Sequence, residues 1–228
     1  FPLMDVKVDN IKINNTKTDT LKALSIPSII GHIENNQGIL QGDYNGWAEV
    51  KIYDKKRDKT TLDNDNNGIN FNYKTQEDLL FKGGTKITNG KFQLDVIIPK
   101  DIRSNYDFGK ISIYAVDSSG QDAAGFSNNY IIGGLHENYV IDNVGPELKI
   151  FLEDTAFSYG DQVSSSPLFI AQLNDSNGIN IINNNIGKEI TLTIDEDFKN
   201  AIVLNGKYKT LSSFRSGEII HPLDQLEN

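Results

Sequence analysis

The chain has 228 residues, 38% of them hydrophobic, which is room for one large domain or two ordinary ones. Its formal charge of −9, from 22 basic and 31 acidic residues, repels phosphate backbones and anionic bilayers, so nucleic acid is not an expected partner. It contains no cysteine, which removes disulfides, thiolate metal sites and cysteine nucleophiles from these residues.

No apolar run approaches the ~20 residues that span a bilayer, so no transmembrane segment is expected. The opening Phe1-Pro2-Leu3-Met4 has neither a basic n-region nor an apolar h-region. The chain reads as an excised piece.

Taken in order, the predicted elements are strands. Val6 and Val8 are followed by Ile11 and Ile13, a change of phase that predicts a bulge at Asp9-Asn10. Phe92, Leu94, Val96 and Ile98 alternate with Lys91, Gln93 and Asp95, so one apolar face is offered to a core. Ile111, Ile113 and Ala115 repeat the pattern, as do Leu148, Ile150 and Leu152, and then Ile190, Leu192 and Ile194. Asn-Gly pairs at 45–46, 67–68, 89–90, 177–178 and 205–206 supply residues that tolerate positive φ. The clearest predicted hairpin runs from Lys86 to Phe92 around Asn89-Gly90. No long window carries a period of 3.6. The fold class that follows is all-β, two consecutive antiparallel β-sandwich (Ig-like) modules. The boundary is placed between Gly133-Gly134 and Gly145-Pro146. That gives residues 1–141, with 1–18 a linker or leading strand, and residues 142–228, a module too short for roughly 100 residues of sandwich and so C-terminally incomplete.

Candidate chemistry is sparse. Asp63, Asp65 and Asn67, followed by Gly68, match the first half of a calcium loop, but Lys74 stands where the bidentate glutamate belongs, and Glu77 and Asp78 come late. A solvated hairpin loop is the competing reading. Asp117 to Asp122 and Asp175 to Gly178 read as turns capped by their own side chains. His32, His136 and His221 are isolated, without the spacing of a zinc site. Neither a G-x-S-x-G elbow nor a phosphate loop occurs, and no carboxylate pair is singled out by its spacing. No catalytic residue and no bound cofactor are therefore expected, calcium being the one candidate ion. Trp47, the only tryptophan, sits beside Asn45-Gly46 and is expected to plug a core, with stacking on a sugar or a protein partner as the alternative.

Longer phrases add a resemblance. They include Asp19 to Ser25, Leu80-Phe81-Lys82-Gly83, Asn89 to Ile102, Gly109 to Ala115 with Asp122-Ala123-Ala124-Gly125, and Asp142 to Glu147. Ser164 to Leu168, Asp175 to Asn180 and Gly187 to Thr191 continue the series. Together, across residues 19 to 228, they resemble the C-terminal β region of the type IX secretion sortases, gingipain-family cysteine peptidases of the Bacteroidetes. The resemblance implies a parent that cleaves the C-terminal signals of exported cargo and attaches the cargo to anionic lipopolysaccharide. It places that chemistry in a caspase-like domain with a Cys/His dyad outside this chain. It also implies a cell-surface location on the outer membrane, with other type IX secretion components and cargo proteins as partners. The expected role here is a scaffold or interaction region. The alternative is a calcium-stabilised or carbohydrate-binding surface adhesin module.

Overall fold

A computed structural model describes residues 4–64, 66, 68–138, 144–179, 181, 189–211, 213–224 and 226. Among them there is no α-helix, only strands and two short 3₁₀ turns.

The chain opens with β1 (Met4–Ile13), β2 (Thr16–Thr18), β3 (Thr20–Ala23), β4 (Ser28–Asn35) and β5 (Gly46–Tyr53). A hairpin of β6 (Arg57–Thr60) and β7 (Asn72–Thr75) precedes β8 (Leu79–Ile87) and β9 (Lys91–Asp95). Then come β10 (Asp107–Phe108), β11 (Lys110–Asp117), β12 (Asp122–Ser127) and β13 (Ile131–Leu135). The later strands are β14 (Glu147–Leu152), β15 (Leu168–Asn174), β16 (Thr191–Leu192), β17 (Ile202–Val203), β18 (Tyr208–Thr210) and β19 (Ser216–Pro222).

The main sheet runs β8-β5-β11-β12-β1-β4-β9, with β2 added to β1. Its two ends meet. Asn89 (φ 51°) and Gly90 (φ 71°) make the turn between β8 and β9, closed by a Thr88–Lys91 bridge. The turn is the predicted one, but its strands diverge: β8 pairs with β5 and β9 with β4. The sheet therefore wraps round one core, into which Val6, Ile29, Val50, Phe92, Ile111 and Ala123 all point. A three-stranded sheet, β10-β13-β3, adds Leu21 and Ile132 to that core. Not every pairing is antiparallel as expected: β1 lies parallel to β12 and β3 parallel to β13.

Alternation explains most of the burial. Phe92, Leu94, Val96 and Ile98 are all buried while Lys91, Gln93 and Asp95 are exposed. The bulge falls where the change of phase puts it: the register of β1 against β4 slips between Val8 and Asn10. That slip turns both Val6 and Ile11 inward, opposite Ile33 and Ile29.

Gly90 is held by more than its φ. A Cβ there would lie 2.2 Å from the Gln41 carbonyl oxygen, and its N–H donates to the Tyr44 carbonyl at 2.8 Å. Gly90→Ala is expected to cost about 1–3 kcal/mol, the range for a non-glycine residue forced into the left-handed region. Urea denaturation checks it; a loss under about 0.5 kcal/mol would show that the turn relaxes.

The later strands form a separate sheet, β14-β15-β19-β18, and a small ladder, β16-β17. They surround a second cluster built on Phe169, Leu173, Leu204, Tyr208, Ile219 and Leu223. Two expectations change here. Leu148 and Ile150 share a face with buried Leu173 and Ala171, yet they are 54% and 52% exposed because β14 is an edge strand that packs on the second cluster only at Leu152 among the described residues. The run from Ile190 to Ile194 gives a strand of only two residues, ended by Asp195 and Glu196 at positive φ.

Of the four Asn-Gly pairs whose residues are both described, only 89–90 makes the two-residue turn. Gly46 opens β5 with its Cβ position 2.1 Å from the Val116 carbonyl oxygen, and Asn205-Gly206 lies in a 3₁₀ turn.

Candidate functional site

The acidic loop joins β6 to β7. Asp63 Oδ2 accepts a hydrogen bond from the Gly68 amide at 2.7 Å, so this carboxylate closes the loop on itself. Asp65 and Asn67 lie outside the described residues. The later acids are engaged elsewhere: Glu77 meets Arg57 at 3.1 Å and also Lys59, and Asp78 meets Arg57 at 3.4 Å. Lys59, and then Arg57, hold the Glu77 carboxyl below its usual range. Lys74 pairs with Asp58 across the same hairpin at 3.6 Å. No group of three or more His, Cys, Asp or Glu side chains converges to hold a metal among the described residues.

The histidines sit on separate elements. His32 on β4 lies between Asp9 (2.7 Å) and Glu34 (3.2 Å), and the bulge at Asp9 brings that carboxylate into reach. His136 follows β13. His221 is on β19, with a buried Nδ1 that has no hydrogen-bond partner among the described residues. The other two polar loops are turns as read: Asp117 Oδ1 accepts from the Ser119 and Gln121 amides, both at 2.8 Å, and Asp175 Oδ1 from the Asn177 amide at 2.7 Å.

Trp47 is not in the core. Ala48, Val50 and Ile52 of β5 point inward and are fully buried, so parity turns Trp47 outward, where it is 42% exposed. The signal was in the sequence: in Trp47-Ala48-Glu49-Val50-Lys51-Ile52 the tryptophan shares its face with the charged residues. One edge of the indole packs on Gly84 of β8, whose Cβ position would fall 2.4–2.6 Å from Nε1, Cε2 and Cζ2. Val116 stands directly opposite Trp47 on β11, with Tyr114 one step along the same face. Tyr114 is 50% exposed, and its hydroxyl donates to Asp122 at 3.4 Å. Because Trp47 is the only tryptophan, its fluorescence reports this site alone. Emission characteristic of a solvated indole, quenched by iodide in the native protein, is the expected result; blue-shifted, unquenched emission would refute the geometry.

Sequence reasoning missed one buried polar cluster. Asp54 and Lys55, at the end of β5, are 3% and 1% exposed. Lys55 Nζ lies 2.9 Å from Asp54 Oδ1 and donates to the carbonyls of Arg103 (2.8 Å) and Ile132 (3.3 Å). Arg103 Nε donates to Asp54 Oδ2 at 3.1 Å, and its other nitrogens reach the carbonyls of Lys55 and Lys56. In the run Asp54 to Lys59 nothing distinguishes Lys55 from its solvated neighbours.

These features define an all-β region that, having no cysteine, contains no cysteine-peptidase site. Among the described residues, no helix is long and apolar enough to cross a membrane. No protein-family model matches the chain, and no curated protein matches it. Over its full length, however, the chain is similar to the crystal structure of dimeric latent PorU from Porphyromonas gingivalis, at 25% identity and a TM-score of 0.60. It spans 22% of that PorU chain. A weaker likeness is to Spo0M, the sporulation control protein of Bacillus subtilis, at 11% identity and a TM-score of 0.35, covering 75% of this chain and 67% of that one. At that level it carries no argument.

Proposed function

We propose that the chain is a non-catalytic scaffold and interaction region of a type IX secretion sortase, the β region that follows the peptidase domain. The observation that carries the reading is the likeness to PorU along the whole chain, at 25% identity, combined with the absence of cysteine. On this reading the parent protein cleaves the C-terminal signals of cargo and attaches the cargo at the surface, and the region faces outward on the outer membrane. Its loops and sheet edges contact other secretion components or cargo. The two core clusters support a division into two modules, residues 1–141 and 142–228. A pull-down with the purified 228-residue chain tests the role. Capture of an outer-membrane secretion component or a cargo signal is expected; no binding to any of them removes the proposal.

A second reading, a carbohydrate contact on the outer face of β5 and β11, is favoured by the half-exposed indole of Trp47 beside Tyr114. Aromatic faces of this kind present apolar area with polar groups at the edge. Titration of Trp47 fluorescence with cell-surface polysaccharide separates it from the first reading: a saturable change lost in Tyr114→Ala supports it, and an unchanged spectrum removes it. The calcium variant of this reading predicts a higher melting temperature with calcium than with chelator, because a ligand of the native state stabilises it.

A further inference from the structure

Between the two cores lies a cleft of about 620 Å³, within the range of small-molecule sites and at the kind of inter-unit position where they occur. Its apolar wall on one side is Leu24, Ile26, Leu80 and Ile97; on the other it is Ile179 and Phe214. The charged side chains on it, Lys82 and Lys100, have one sign. Lys82, Lys100 and His136 line it, and no aspartate or glutamate does among the described residues, although acids outnumber bases by 31 to 22 in the chain. Lys82 is shared with Glu49 at 3.7 Å. The Lys100 ammonium is exposed and makes no ion pair among the described residues, and the His136 ring makes no hydrogen bond there.

Tyr208 also lines the cleft and is 4% exposed, its hydroxyl enclosed against Gly217 of β19. Burial pushes that hydroxyl up to about 12, a weak contact with Thr210 pulling the other way, so it is a neutral donor.

We propose that this cleft binds a small organic anion with an apolar body, a carboxylate on an aliphatic chain. The apolar walls take the chain, and the carboxylate sits toward Lys100 and His136. An extended peptide does not fit as well. The edge strands β8 and β18 face each other here, and the Thr210 hydroxyl already donates to the Lys82 carbonyl at 3.3 Å. Two strands so bridged leave no gap for a third between them.

Calorimetric titration of the 228-residue chain with decanoate, with decyltrimethylammonium and with a capped apolar hexapeptide tests the assignment. Saturable one-site binding of decanoate is expected, with the cation of equal chain length at least about tenfold weaker. Lys100→Glu, at an exposed position, is expected to weaken decanoate about tenfold while leaving the melting temperature unchanged. Leu135→Trp, at a half-exposed lining residue, is expected to abolish binding by filling the cleft. No saturable decanoate binding, equal affinity for anion and cation, binding indifferent to both variants, or preference for the peptide would each overturn the proposal. None of these outcomes depends on the secretion role.

Discussion

Phe214→Ala is expected to destabilise the protein by about 3–5 kcal/mol, the usual cost of deleting a buried phenylalanine ring. Phe214 lies in the short segment between β18 and β19, yet it is 4% exposed and belongs to the core of the main sheet. The segment around it is well tied. Its carbonyl accepts from the Ile179 amide at 3.1 Å, the Asp175 amide donates to the Arg215 carbonyl at 2.8 Å, and Arg215 Nε donates to the Ser176 carbonyl at 2.8 Å. Gly178, at φ 99°, leaves space for the ring: a Cβ there would stand 2.6 Å from Phe214 Cδ2. Removing the ring empties the place where the later sheet plugs into the first core. A single urea transition is therefore expected to become two, one for each core cluster. Arg215→Ala, which removes a cation 4.9 Å from the ring centroid, is the control and costs at most about 1 kcal/mol. A loss for Phe214→Ala no larger than the control would mean that the ring does not couple the two sheets.

Asp54→Ala is the second large effect, again about 3–5 kcal/mol, because it leaves the Lys55 ammonium buried without its counter-charge. Lys55→Met is expected to cost less, since it removes the charge that needs a partner. The cluster also sets a pH dependence. Burial alone would raise the Asp54 pKa. The bonds from the Lys55 ammonium, the Lys55 amide and Arg103 outweigh it, and the carboxyl is held below its ordinary 3.8. A carboxyl whose folded value is depressed contributes stability above the unfolded value, and that contribution is lost as pH falls through the folded one. Stability measured from pH 6 downward should thus decline across and below pH 3.8, and the Asp54→Ala variant should show a shallower decline over that window. Parallel curves for the two proteins would refute this role for Asp54.

The physical role of this cluster is to tie separate pieces together. Lys55 reaches the carbonyl of Ile132 on β13 and that of Arg103 in the loop before β10, so one ammonium joins the end of the main sheet to the three-stranded sheet. Its three donors meet three acceptors, which is the condition for tolerating a buried charge. Nothing local betrays this. Lys55 and Lys56 are identical in type and adjacent, and only the path of residues far along the chain decides which of them is enclosed.

The candidate surface residues were unevenly legible. The parity of β5 was enough to put Trp47 outside, but reading the residue alone as a large aromatic beside a turn favoured the core. Tyr114 and Val116 join it because β11 pairs with β5 in register, a partnership no nearby residue announces. The contact of Asp63 with the Gly68 amide is the local kind that sequence spacing can suggest. The cleft was invisible, since its walls come from residues as far apart as Ile13 and Phe214.

Period-two alternation and the turn at Asn89-Gly90 are written in neighbouring residues, and from them the sequence by itself determined an all-β chain, the inward faces of its long strands and the bulge at Asp9. Strand partnership is a contact between distant segments. Only the tertiary structure therefore decided that β8 and β9 part at their turn to opposite ends of one wrapped sheet, that β1 and β3 take parallel partners, and that Phe214 crosses into the first core. Alternation fixes which side of a strand is apolar. It does not fix what covers that side, and so Leu148 and Ile150, patterned like core residues, stand exposed on the edge strand β14.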